Sequence, residues 1–143
     1  METTIQISGL SKSYTGNKVI GNLSLSVAAG EVYGLLGANG AGKSTTIECI
    51  LGTREADSGT VRILGLDPWE NRKQLFEQVG VQFQESNYPD KIRVRELCEE
   101  TACLYRQPSS YKELLQKFDL ADKREAFVSE LSGGQKQKIL IVL

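Results

Sequence analysis

Gly37-Ala38-Asn39-Gly40-Ala41-Gly42-Lys43-Ser44 has the form G-x-x-x-x-G-K-[ST]. Val32, Tyr33, Leu35 and Leu36 precede it and read as a buried strand, and Thr45 to Leu51 follows and reads as a helix. Strand, glycine loop, helix is the context in which this pattern cradles nucleotide phosphates. Gly37, Gly40 and Gly42 permit tight bends that bring backbone N–H groups close to phosphate oxygens. A helix opening near Lys43 aims its free N–H groups and positive dipole end at the same point. Lys43 adds a charged donor for β- and γ-phosphates, and Ser44 offers a hydroxyl to Mg²⁺.

The rest of the chain narrows the class. Its 143 residues suffice for one modest domain with a real core. A hydrophobic share of 40% and a charged share of 24% are ordinary for a globular protein. The net charge of -1 and the lack of a basic run argue against nucleic acid as a partner. No apolar stretch is long enough to span a bilayer, and the polar N-terminus lacks a secretory pattern. Cys49, Cys98 and Cys103 have no metal-like spacing and read as small buried hydrophobes in a reducing compartment. Histidine is absent, so a mechanism that uses one must take it from elsewhere. The nearest fragments of a guanine-reading segment are Asn17-Lys18 and Asp122-Lys123, and neither fits, which disfavours GTP.

Alternating apolar positions predict two antiparallel strands, Thr3 to Leu10 and Val19 to Val27, with Tyr14 to Lys18 as the loop between them. Asp57-Ser58-Gly59 turns into a strand over Thr60 to Leu64. Asp67-Pro68-Trp69-Glu70 has the pattern of a capped helix start, closed by Gly80, before a short apolar strand over Val79 to Phe83. Beyond a polar loop, a helix is expected over roughly Val94 to Tyr105, with Val94, Leu97, Thr101 and Leu104 on one face. Ser110 and Glu113 form the next capping pair, with Leu114, Leu115 and Phe118 as that helix's apolar side. An α/β part, 1–84, thus gives way to a helical part, 85–143. The final Lys138-Ile139-Leu140-Ile141-Val142-Leu143 reads as a helix entering a core with no stop signal, as though the chain were cut inside an element.

Leu131-Ser132-Gly133-Gly134-Gln135 is the second sharp signal. Ser132 is a good helix cap and Gln135 completes a capping box. Each glycine costs a helix roughly 1 kcal/mol relative to Ala, so the pair calls for a reason. Bare N–H groups at a helix start beside a serine hydroxyl make a second anion-binding surface, while a plain Gly-Gly turn is the alternative.

Together, the segment at 131–135 and the loop at 37–44 resemble the nucleotide-binding domain of the ATP-binding-cassette (ABC) transporter family, over essentially the whole chain. The loop looks most like the cassettes of ABC-2-type and drug exporters. The resemblance implies a P-loop NTPase of ABC type, α/β, with N-terminal antiparallel strands, a helical subdomain and an incomplete core sheet. It implies ATP and Mg²⁺, held through Gly37, Asn39, Gly40, Gly42, Lys43, Ser44 and Thr45, with Tyr14 stacked on adenine. Ser132, Gly133, Gly134 and Gln135 would meet the γ-phosphate held by a second nucleotide-binding domain in a head-to-tail dimer. Gln84 matches the glutamine that contacts Mg²⁺ or water and senses the transport partner, with Gln82 as a nearby alternative. The loop from Glu85 to Arg93 would border a membrane permease, which places the protein in the cytoplasm, peripheral to the membrane. The family continues with a Walker B aspartate, a catalytic glutamate, a D-loop and a switch histidine that this sequence lacks. Lys138 stands where arginine is common. The resemblance therefore implies ATP binding with poor hydrolysis, and strands missing from between and beside those of the core sheet.

Overall fold

The computed structural model describes residues 3–82, 88–89 and 91–143. They form two compact units, one ending at Val79 and one running from Gly80 to Leu143.

The first unit is built on an antiparallel sheet of order β2-β1-β3. Strand β1 (Thr3–Tyr14) pairs with β2 (Asn17–Ala28) from Thr3↔Ala28 to Tyr14↔Asn17. The strands extend past the expected limits, so only Thr15 and Gly16 are left to turn the chain. Both adopt positive φ (47 and 86), the two-residue hairpin whose twist matches its strands. Strand β3 (Ser58–Ile63) pairs with the other edge of β1. Helix α1 (Lys43–Ile50) turns Thr46 and Cys49 inward. Cys49 packs among Ile7, Leu10, Ile20, Val61, Ile63 and Leu75. Each buried aliphatic side chain there contributes roughly 1.5–3 kcal/mol by leaving water.

Two expected strands are not formed. Residues 31–36 lie outside any strand, with Val32 98% and Leu36 93% exposed. Residues 79–82 are also irregular, and Val81 is exposed. Their composition suits a buried parallel strand, but a strand exists only through its neighbours, and the sheet among the described residues holds β1, β2 and β3 alone. The capped helix expected at Asp67 is likewise displaced. Asp67 Oδ1 accepts from the N–H groups of Trp69 and Glu70, yet residues 68–71 form a turn and α2 is one short helix, Arg72–Leu75. An aspartate two residues before an N–H serves an Asx turn as readily as a helix cap.

The second unit is helical: α3 (Val94–Ala102), α4 (Tyr111–Lys117) and α5 (Gly133–Val142), with 3-10 turns at Ala121–Lys123 and Val128–Glu130. Val94, Leu97, Cys98, Leu115, Leu120 and Ile139 are central to its core. Ser110 caps α4 by accepting from Glu113 N–H at 3.4 Å, as its sequence spacing requires. Helix α3 stops at Ala102, two residues before Leu104, which is therefore 77% exposed and not part of the apolar face. Cys103, at the C-cap, is also exposed, whereas Cys49 and Cys98 are buried. Among the described residues no helix is long and apolar enough to cross a membrane.

Candidate nucleotide site

The glycine loop wraps onto the N-terminus of α1. Gly42 is the N-cap, at φ 84, and its carbonyl accepts from both the N–H and the hydroxyl of Thr46, each at 2.8 Å. A Cβ at Gly42 would lie 2.8 Å from Val19 Cγ1 and 2.9 Å from Val19 O. Only glycine satisfies both the positive φ and this close approach. The contact also fixes the loop against the start of β2, three residues past the hairpin turn that follows Tyr14.

Lys43 Nζ donates to Gly37 O and Ala38 O, both at 2.7 Å, so the ammonium already spans the loop it belongs to. By helix geometry the N–H groups of Lys43, Ser44 and Thr45 have no intrahelical acceptor. No acidic residue stands in the first turn to compete for them. Ser44, Asn39 and Gly40 are exposed, and a Cβ at Gly40 would meet open space. These donors fit a polyphosphate. The same residues fit Mg²⁺ only as a partner of such a ligand. Ser44 supplies one hydroxyl, and the described residues hold no cluster of His, Cys, Asp or Glu that would bind a metal by itself.

At the head of α5, Ser132 Oγ accepts from Gln135 N–H (3.3 Å) and Gln135 Oε1 accepts from Ser132 N–H (2.9 Å). The expected capping box is therefore complete. It also engages the Gln135 side chain inside the protein, leaving the glycines as the open part of the motif. Neither Gly133 nor Gly134 has a positive φ, and a Cβ on either would meet nothing within 4 Å. Neither backbone conformation nor internal packing requires glycine there. The first turn of α5 carries no acidic residue. Lys138 Nζ donates to Phe118 O (3.0 Å), the C-cap carbonyl of α4, so the lysine ties two helices together.

Tyr14 ends β1, where two cations meet its ring. Lys12 Nζ lies 5.8 Å and the Arg54 guanidinium 5.5 Å from the ring centroid. Each cation is held by a carboxylate. Asp57 accepts from Lys12 Nζ (2.8 Å) and from Ser13 N–H (2.7 Å), while Arg54 Nε donates to Glu48 at 2.5 Å. The Lys12 hydrogen bond and the Ser13 N–H hold Asp57 below the usual carboxylate range, and Asp57 in turn raises Lys12. Glu48 similarly raises Arg54. Burial pushes up the Cys49 thiol, which lies on the inner side of α1.

Val19 and Asp57 read from the sequence only as a strand start and a turn residue, and Lys12 and Arg54 carry no reading there. Lys12 and Tyr14 share a face of β1 by strand alternation, a signal that was available. Arg54 lies in an irregular segment after α1 and carries no such signal. Gln84 lies outside the described residues. Gln82, its alternative, donates from Nε2 to Gln137 Oε1 at 3.1 Å.

A glycine loop at the head of a helix in an α/β setting, together with its likeness to solved ABC ATPase structures, gives a P-loop NTPase fold of ABC type. The family model described as ABC transporter matches residues 20–143, and the chain belongs to that family. The methionine import ATP-binding protein of Clostridium acetobutylicum is 36% identical over 96% of this chain and 46% of its own length. The Nod factor export ATP-binding protein I of Paraburkholderia xenovorans is 37% identical over 98% of this chain and 48% of its own. Among solved structures, one described as the ATP binding subunit of an ABC transporter superposes with a TM-score of 0.85 at 30% identity. It is covered over 98% of this chain and 60% of that one. The cbiO1 structure from Clostridium perfringens, part of the ABC transporter complex cbiONQ, has a TM-score of 0.83 at 22% identity and supports the fold. It is covered over 99% of this chain and 61% of that one. The chain spans about half the length of these two curated relatives.

Proposed function

We propose that this chain is the ATP-binding part of an ABC transporter subunit, working in the cytoplasm against a membrane permease. The observation that carries the reading is the pair of glycine-bearing helix starts. Both α1 and α5 begin with no acidic residue, and Gly40, Gly133 and Gly134 face open space. In this reading Lys43 moves from the carbonyls of Gly37 and Ala38 to the β- and γ-phosphates. Backbone N–H groups of the loop close around the same oxygens, and Tyr14 stacks on the adenine. Mg²⁺, when bound with the nucleotide, neutralises phosphate charge, and Ser44 would hold it, with Gln84 as a second contact. Ser132 and Gly134 of a second nucleotide-binding domain, arranged head to tail, complete the grip, so the two close only around nucleotide. Export fits the loop's likeness to drug-exporter cassettes. Relatives named for import and for export match this chain at nearly equal identity, 36% and 37%.

Turnover needs a carboxylate to order the attacking water. Near the loop, Glu31 accepts from Ala28 N–H at 2.8 Å and Glu48 is paired to Arg54. The chain by itself is therefore proposed to bind ATP and hydrolyse it poorly. Titration calorimetry with Mg-ATP tests the site: Lys43→Ala should weaken binding by roughly two orders of magnitude, the scale of losing a charge-assisted phosphate contact. Undiminished binding by that variant would overturn the reading. Phosphate release from the unmodified chain should stay at background in the same samples.

A further inference from the structure

We propose that Arg54 is a positioning residue for base recognition, fixing the plane of Tyr14 through its guanidinium. The inference rests on Tyr14 being the base-stacking residue. It adds the chain of contacts that would hold the ring ready: Glu48 on α1 to Arg54, Arg54 to the Tyr14 ring, the ring to Lys12, and Lys12 to Asp57. Tyr14 stands at the last position of β1, before a turn of two residues, and is 36% exposed. A ring there gains little from core packing, so its plane must be set by neighbours. A flat guanidinium 5.5 Å from the centroid does this by cation–π attraction, and Lys12 at 5.8 Å adds a second point. The carboxylates matter as much as the cations. Asp57 and Glu48 balance Lys12 and Arg54 in charge, so the clamp carries no net charge.

The anchoring has a geometric consequence. Glu48 belongs to the helix whose first turn forms the phosphate site, and Arg54 follows that helix. The ring is thus referenced to α1 at one end, while Val19, just beyond the hairpin turn, is packed on Gly42 at the other. Base platform and phosphate cradle are held in one register by side chains outside both motifs. A ligand with a base should feel the clamp, and a bare polyphosphate should not. Freezing a tyrosine in advance removes part of the ordering cost of binding.

The test compares Mg-ATP with Mg-tripolyphosphate binding by calorimetry on the full chain. Arg54→Met, which keeps the stem and removes the flat charged head, should weaken ATP about three- to five-fold, the scale of one exposed cation–π contact. Its affinity for tripolyphosphate should be unchanged. Glu48→Gln should shift ATP the same way by less, and Arg54→Lys should recover part of the loss. In a Tyr14→Ala background Arg54→Met should have no further effect on ATP. Equal losses for both ligands, no loss, tighter ATP binding by Arg54→Met, or additivity with Tyr14→Ala would each overturn the proposal. Failure of the parent reading looks different: Tyr14→Ala would then leave ATP affinity intact, or Lys43→Ala would leave both ligands bound.

Discussion

Gly42 and Gly134 sit at two helix starts and are glycine for opposite reasons. At Gly42 an alanine would be strained by φ 84 and would press Cβ to within 2.9 Å of the Val19 carbonyl. Gly42→Ala should therefore destabilise the first unit by about 2 kcal/mol or more, read from the urea midpoint. At Gly134 nothing lies within 4 Å and the backbone is helical. Gly134→Ala should stabilise α5 by up to about 1 kcal/mol, since alanine is the better helix former. If the proposed sandwich is right, the same change should also impair nucleotide-dependent pairing. A stability gain with unchanged pairing would remove Gly134 from the site. The thiols divide in the same residue-by-residue way. Burial pushes Cys98 up to about 11, and Cys49 is raised by the same cause. Exposed Cys103 should react first with a thiol reagent near neutral pH, with Cys49 and Cys98 labelling only on unfolding.

At the scale of elements, the caps of α4 and α5 are local and behave as the sequence predicts. Ser110 and Ser132 each bond the N–H three residues on, and Gln135 returns its bond to Ser132. Ser132→Ala should cost about 1 kcal/mol and fray the first turn of α5, seen as lost helical circular dichroism at lower temperature. An exposed ion pair, Lys12 with Asp57, adds modestly to the β1–β3 edge. Asp57 is depressed below its unfolded value of about 4, so its contribution is fully present above that value and is lost as pH falls through the lower folded one. The gap in unfolding midpoint between the unmodified chain and Asp57→Asn should be open at neutral pH and close in strong acid. These cases show what was legible. The Ser110 and Ser132 caps and the hairpin are written within a few residues and formed, the hairpin with a tighter turn than expected, whereas the Asp67 pair made a turn instead of a helix start. The strands expected at Val32 to Leu36 and Val79 to Phe83 depend on neighbours distant in sequence, and apolar composition alone does not supply a hydrogen-bonding edge. Arg54 was invisible for a related reason: its contact with Tyr14 spans forty residues and follows no period.

Over the whole molecule, two separate cores and one uncovered apolar segment set the solution behaviour. Leu10, Ile63 and Leu75 anchor one core and Val94, Leu115 and Ile139 the other, and among the described residues none belongs to both. Cooperative units with cores of their own open with free energies of their own. Unfolding should then depart from two-state behaviour, with tryptophan fluorescence from Trp69 reporting the first unit ahead of or behind total helix signal. The segment carrying Val32 and Leu36 is the stronger determinant. Both side chains are more than nine-tenths exposed, beside Tyr33 at 51%, and their backbone is unpaired by any strand of the sheet. Exposed apolar side chains on backbone without strand partners favour association between chains. The isolated chain should therefore self-associate as concentration rises, and its melting should depend on concentration. Sedimentation velocity over a dilution series measures this directly. Val32→Lys with Leu36→Lys should return the chain to monomer and make its melting independent of concentration, and because neither residue contributes to a core the monomer should still fold. A monomer at every concentration before substitution would show that this segment finds cover within a single chain.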